Sequence, residues 1–342
     1  MTHRAVQRLA TLDDLVQQAR GGDPIRVAVV NAAQSAVLET LQEATRLGIS
    51  EPLLIGRSAE IAEAASALGW DLDLESVIEA NSEMDAARRG VELVRDGHAD
   101  VLMKGHIHTD TFMRALLDGE RGLRQPGSRV SHVFLLDLPN CPRLLAISDA
   151  AVNIAPDLNA KAQILQNAIA LMHMVGVETP RAAVISAIET VNPALPSTLD
   201  AACLTLMARR GQIAGAEVDG PLAFDNAISE RAAREKGIES PVAGQADILL
   251  MPDLVSGNVL AKNLEYHAGA TAAGVVMGLT VPVVLSSRAD PPAARLAGLG
   301  VAALMYRAGL RLSVSAPTVS ETESAFPCAP QPESACCPKE VC

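Results

Sequence analysis

Short runs of β-branched and aliphatic residues alternate along the chain with longer Ala- and Leu-rich segments whose apolar positions recur at helical spacing. That alternation predicts an α/β fold with mostly parallel strands, since each strand returns to the same side of a sheet through a covering helix. The runs predict strands at Ile25–Val30, Pro52–Ile55, Val101–Met103, Val133–Leu136, Leu144–Ile147, Ala182–Ser186, Ile248–Met251 and Pro282–Leu285. Helical spacing is clearest over Ala33–Arg46, Asp85–Arg95, Asn159–Met174, Ser197–Arg209, Asn226–Lys236 and Pro292–Arg307. Pro196 and Ser197 are an ordinary helix start. Beyond residue 315 the periodicity stops, and the Ser-, Thr-, Glu- and Pro-containing stretch 316–342 is expected to be a disordered tail.

Composition narrows the function classes. A chain of 342 residues with 49% hydrophobic content can bury a large core, and its length favours two domains over one. Aromatic residues make up 2% and the formal net charge is −12, so neither stacking platforms nor a cationic face for nucleic acid is expected. An anionic small substrate fits only where a few Lys and Arg converge against the overall field. Apolar runs such as those within 246–251 and at 281–285 have strand length and fall far short of a membrane span, so no membrane span is expected. Residues 1–20 lack an uninterrupted apolar stretch, so the expected location is the cytoplasm. Cys141 and Cys203 lie in the body, while Cys328, Cys336, Cys337 and Cys342 lie in the tail, which is not a disulfide framework.

Five segments carry candidate chemistry. Lys104-Gly-His-Ile-His-Thr-Asp110 follows a predicted strand at the end where parallel α/β proteins gather ligands. Lys104 and Thr109 read as anion contacts; His106 and His108 have the spacing of a metal pair but no further convergent ligands, so no metal is expected. The loop 121–132 carries Arg121, Arg124 and Arg129, with Arg114 on the preceding helix, and guanidinium forks of this kind can hold phosphate. At 218–225 a strand turns through Gly220 and Pro221 into a helix, where Asp219 and Asp225 can orient a ligand hydroxyl or a basic residue, or Asp225 can cap the helix. In 252–262, Ser256 and Gly257 open a helix on which Asn258 and Lys262 share a face. Finally, Ser286, Ser287, Arg288 and Asp290 end a buried strand ahead of the Pro291-Pro292 helix start.

In this order, and together with Ile147-Ser-Asp-Ala-Ala-Val-Asn153, Glu189-Thr-Val-Asn-Pro193, Arg210-Gly-Gln212 and Pro241-Val-Ala-Gly-Gln-Ala-Asp247, these motifs resemble the phosphate acetyltransferase and phosphate butyryltransferase family over nearly all of 25–310. The sequence is most similar to the short acetyltransferase type that also occurs fused behind an enoyl-CoA hydratase-like domain. The resemblance implies two α/β/α domains with mostly parallel sheets and an interdomain cleft, as in isocitrate and isopropylmalate dehydrogenases. Residues 1–142 with 287–315 would form one domain and 143–286 an inserted second. A homodimer, acetyl-CoA and phosphate as substrates, and no cofactor are also implied. Phosphate would attack the thioester of bound acetyl-CoA directly, without a covalent acyl-enzyme, giving acetyl phosphate and CoA.

Carried over by residue, the family's catalytic Ser-Arg pair falls on Ser287 and Arg288, and its cleft arginine falls on Arg129 in Arg129-Val-Ser131. Arg129 and Arg288 would take phosphate or the 3′-phosphate end of CoA, and Ser287 the thiolate or oxyanion. Lys104, Thr109, Arg114, Ser131, Asp149, Asp225, Asn258, Lys262 and Asp290 complete the candidate substrate-binding set. Arg114 is displaced by one position, since the acetyltransferase branch has its arginine where Met113 stands. Ala294 stands where the better-studied acetyltransferase branch has a proton-handling aspartate, a lack shared with the short and butyryl types. That leaves Asp290, Asp149 and Asp225 as candidate bases, or a phosphate dianion that needs little base assistance near neutral pH. A butyryl or broader short-chain acyl preference and a non-catalytic CoA-binding protein are the alternatives.

Overall fold

The computed structural model describes residues 9–309. The expected tail and its four cysteines lie outside the described residues. The strands are β1 Ile25–Val30, β2 Ser50–Gly56, β3 Val77–Glu79, β4 Val101–Lys104, β5 Ser131–Asp137, β6 Leu145–Ser148, β7 Arg181–Ile185, β8 Glu217–Leu222, β9 Ile248–Leu250, β10 Thr271–Met277 and β11 Val283–Val284. The helices are α1 Leu12–Ala19, α2 Ser35–Arg46, α3 Ser58–Ala67, α4 Glu83–Arg95, α5 Thr109–Leu116, α6 Leu158–Met174, α7 Pro196–Arg209, α8 Phe224–Ile228, α9 Glu230–Glu235, α10 Leu254–Ala268 and α11 Pro292–Arg307.

All the strands join one sheet in the order β3-β2-β1-β4-β11-β10-β5-β6-β9-β7-β8. Its two flanks, β3-β2-β1-β4-β11 and β6-β9-β7-β8, are each parallel within themselves. The centre is antiparallel: β10 runs against both β11 and β5, and β5 against β6. The two flanks therefore point in opposite directions, and the strand ends that carry their loops lie at opposite ends of the sheet. Helix-covered strands are apolar on both faces, as in β4 and β6, which are buried throughout.

Three differences from the sequence reading have local causes. β10 escapes the pattern because Thr-Ala-Ala-Gly-Val-Val-Met neither alternates nor forms a uniform branched run. Its Gly274 is required by close approach, since a Cβ there would meet the Leu285 carbonyl and the His132 ring. The helix expected over 226–236 divides at Ser229, which is extended (φ −120°, ψ 111°) and whose Oγ accepts from the Ala232 N–H at 3.3 Å to cap α9. α10 begins earlier than Ser256: Asp253 caps it by accepting the Ser256 N–H at 2.9 Å.

Candidate active site

The turn between β11 and α11 carries Ser287, Arg288 and Asp290. β11 is short and hydrogen-bonds β4 on one side and β10 on the other, which puts this turn beside the end of β4, where Lys104 sits. Asp290, 9% exposed, accepts the Ser287 N–H at 2.7 Å and closes the turn. Behind it lies Arg295, 1% exposed on α11. Arg295 donates to the backbone carbonyls of Ser287 and Arg288, both at 3.1 Å, and to that of Asp290. The Ser287 Oγ lies 3.4 Å from the Ala289 N–H, and the Arg288 side chain is exposed. The turn thus presents a hydroxyl and a guanidinium from a backbone fixed from beneath. Nothing in the residue pattern marks Arg295 apart from any other helical arginine, and sequence reasoning missed it.

Lys104 is buried at 2% exposure. Its pKa falls to about 8, first because burial disfavours the ammonium, and then because Arg288 and Arg295 lie close by. Asp290 and Glu83 oppose that shift. In a chain of net charge −12 this is the local cationic convergence an anionic substrate needs.

α10 crosses the same face. Its Lys262 Nζ lies 3.6 Å from Asp290, 2.5 Å from Glu265 and 5.6 Å from the centre of the Phe134 ring. Burial pulls the Lys262 pKa down, but the Glu265 hydrogen bond and the Asp290 charge together hold it above the ordinary lysine value. Glu265 moves upward as well, because burial outweighs its bond to Lys262 and Asp290 adds like charge. Glu265, Tyr266, Ala270, Thr271, Ala272, Ala289, Asp290, Pro291 and Ala294 line a pocket of about 170 Å³.

Toward its N-terminus α10 meets Asp149. Gly257 is required there because a Cβ would run into the Asp149 carbonyl. Asn258 donates to the Ala150 carbonyl at 3.2 Å. The Asp149 carboxylate, 2% exposed, accepts the N–H groups of Ala151, Val152 and Asn153 and the Asn153 side-chain amide. That amide also donates to the Val130 carbonyl, and the Asn153 carbonyl oxygen lies 3.4 Å from the Arg129 guanidinium. Arg129 is exposed and borders a second pocket of about 370 Å³ with Arg124, Ser128, Val152, Asn153 and Gln163. Ser131 has no exposure, and its Oγ accepts from Asn167 at 2.8 Å, so this serine faces the protein.

His132, next along β5, is fully buried with its ring edge-on to Phe134 at 4.4 Å. The ring approaches the Leu285 carbonyl without hydrogen-bonding geometry. Burial lowers its pKa against the pull of Asp149, so the imidazole stays neutral.

Other candidates stand apart. Thr109 opens α5 on the surface, and Arg114 is exposed with Asp110 at 4.0 Å, bordering a pocket with Arg88 and Arg121. Asp225 lies inside α8, so Ala223 rather than Asp225 occupies the cap position. It pairs with Lys236 at 3.2 Å, and that hydrogen bond lowers its pKa. Lys236 also reaches Glu189 at 3.3 Å, so the three form a cluster at the loop that follows β7.

Comparison with known proteins bears on the same segments. The family model described as phosphate acetyl/butaryl transferase matches residues 75–294, a span that holds every candidate residue. A phosphate acetyltransferase of Rhizobium meliloti is 46% identical over 292 residues, covering 85% of this chain and 92% of the relative. A phosphate butyryltransferase of Clostridium acetobutylicum is 42% identical over 298 residues, covering 87% and 98%. Among solved structures, a branched-chain phosphotransacylase from Enterococcus faecalis superposes with a TM-score of 0.71 at 31% identity, covering 82% of this chain and 99% of that one.

Proposed function

Because the chain belongs to the phosphate acetyl/butaryl transferase family, we propose that it moves an acetyl group reversibly between coenzyme A and inorganic phosphate. The observation that carries this reading is the Ser287–Asp290 turn, clamped by Arg295 and set beside Lys104 in an otherwise acidic protein. Phosphate has no use for a redox or metal partner in such a step; it needs cations that hold it against the thioester carbon, a donor for the developing charge, and water kept out. Arg288 and Lys104 supply the positive charge around phosphate. The Ser287 hydroxyl donates to the carbonyl oxyanion or to the departing thiolate. Arg129, with its exposed guanidinium, takes a phosphate of CoA. Asn258 and Lys262 line the path between the two ends along α10, while Asp149, Asp290 and Ser131 hold backbone and side chains in place.

In this reading the chain forms two domains, 1–142 with 287–315 and 143–286, with the substrates in the cleft between them; β11 at 283–284 nevertheless pairs with β4 in the first flank, so the sheet favours a second boundary just before it. Two copies associate, consistent with the exposed Val255, Val259 and Tyr266 on one face of α10. The reaction takes place in the cytoplasm without a cofactor. Thr109, Arg114 and Asp225 contribute at most to the rim.

Thiol release from acetyl-CoA that depends on added phosphate tests the activity, and its absence at millimolar substrate removes the reading. The butyryltransferase relative favours one alternative, a longer acyl chain. Catalytic efficiency compared across acetyl-, propionyl- and butyryl-CoA decides it, each added methylene being worth on the order of 1 kcal/mol in a fitted pocket.

A further inference from the structure

Direct acyl transfer moves a proton as well as an acyl group. As the phosphate oxygen bonds to the carbonyl carbon and the carbon–sulfur bond breaks, hydrogen phosphate gives up its proton and the CoA thiolate must gain one. Most carboxylates near the cleft are already committed. Asp149 accepts four N–H groups, and Asp290 holds the Ser287 N–H at 2.7 Å with Lys262 beyond it at 3.6 Å. Asp225 pairs with Lys236 near the far edge of the sheet.

Glu265 differs. Its side chain is 13% exposed, and one oxygen binds Lys262 at 2.5 Å. The other, Oε1, has no hydrogen-bond partner among the described residues. Glu265 lines the 170 Å³ pocket together with Ala289, Asp290 and Ala294, and so borders the turn that carries Ser287. The facing groups are Lys262 and Tyr266 on its own helix, Asp290 on the turn and Arg295 behind the turn; β10 offers only Thr271 and Ala272.

We propose that Glu265 is the proton carrier of the acyl transfer, taking the proton from the attacking phosphate and delivering it to the sulfur of the departing CoA. The carboxylate begins and ends ionised, so atoms and charge balance within one turnover, and the reverse reaction uses the same two steps in the opposite order. Burial and the neighbouring Asp290 raise the Glu265 pKa, which makes it a better base than a solvent-exposed carboxylate. The proposal rests on the acyl-transfer reading, and phosphate-dependent thiol release by the unaltered protein checks that reading separately.

The test measures kcat against pH with both substrates saturating. In the unaltered protein kcat falls on the acid side as Glu265 protonates. Glu265→Gln lowers kcat at pH 7.5 by about 100-fold or more, leaves both KM values within about threefold, and abolishes the acid limb in what remains. Glu265→Asp keeps measurable turnover with the limb displaced. Because Ala294 faces the same pocket, Ala294→Asp added to Glu265→Gln restores at least about tenfold of the lost kcat. A Glu265→Gln protein that keeps kcat within threefold overturns the proposal. So does one that loses rate yet keeps the acid limb in place, which is the behaviour of a merely structural residue. Should Glu265→Gln fail to fold, an unmoved limb in Glu265→Asp overturns the proposal just as well.

Discussion

The two cationic ends of the candidate site are built in opposite ways. Around Ser287 the backbone is held from below: Arg295 is buried, every carbonyl of the turn that it reaches is satisfied, and Lys104 lies beneath at 2% exposure. Around Arg129 the guanidinium stands in solvent, tied to Asn153 by one long contact of 3.4 Å. Buried charge acts in a low dielectric, where small displacements matter and water cannot substitute; exposed charge is screened and forgiving. On the proposed function, this contrast suits the first end to chemistry and the second to substrate capture.

The strongest way to break this contrast is at Arg295. Arg295→Ala removes the guanidinium from three backbone carbonyls, of which that of Ser287 keeps the Asp290 N–H at 3.2 Å, and leaves a void beneath the turn, and we expect a stability loss of about 3 kcal/mol or more in urea unfolding. At substrate saturation kcat falls about 100-fold, because a turn displaced by an ångström no longer aligns the reacting groups. A variant with native stability and rate would show that the turn holds itself.

Lys104 gives a sharper, pH-resolved test. Its folded pKa is about 8 against an ordinary 10.5, so the folded protein binds fewer protons than the unfolded chain between those values. Stability therefore rises with pH across that window by up to about 3 kcal/mol, while below pH 8 the full cost of the buried ammonium is present. Lys104→Met flattens that part of the stability curve. Phosphate bound beside Lys104 in the unaltered protein draws in a proton near pH 8, which calorimetry in buffers of different ionisation heat reads directly.

The smallest effect belongs to the exposed end. Arg129→Gln raises the KM for acetyl-CoA about tenfold with kcat nearly unchanged, and the deficit shrinks as salt is raised. A loss confined to kcat and indifferent to salt would move Arg129 from capture to chemistry.

What the sequence disclosed follows the same division. β1 is predicted to the residue, and β4 and β7 to within one position, because uniform branched runs between polar turns have few other uses. Ser287, Arg288, Lys104 and Lys262 stand out as candidates in the sequence because they sit at strand ends or share a helix face. The supports are not. Arg295 and Glu265 lie inside helices, where charged residues usually meet solvent, and only the tertiary packing turns them inward. β10 stays hidden since its glycine answers to a carbonyl from another strand.

β11, two residues long, has a consequence for how the protein is made. It fills the gap between β4, completed at Lys104, and β10, completed at Met277. During vectorial synthesis the edge of β4 stays open until nearly the whole described chain has left the ribosome. The last strand to emerge closes the sheet and carries Ser287 into place, so acyl chemistry and completion of the sheet arrive together, and a chain that stops short of it has neither.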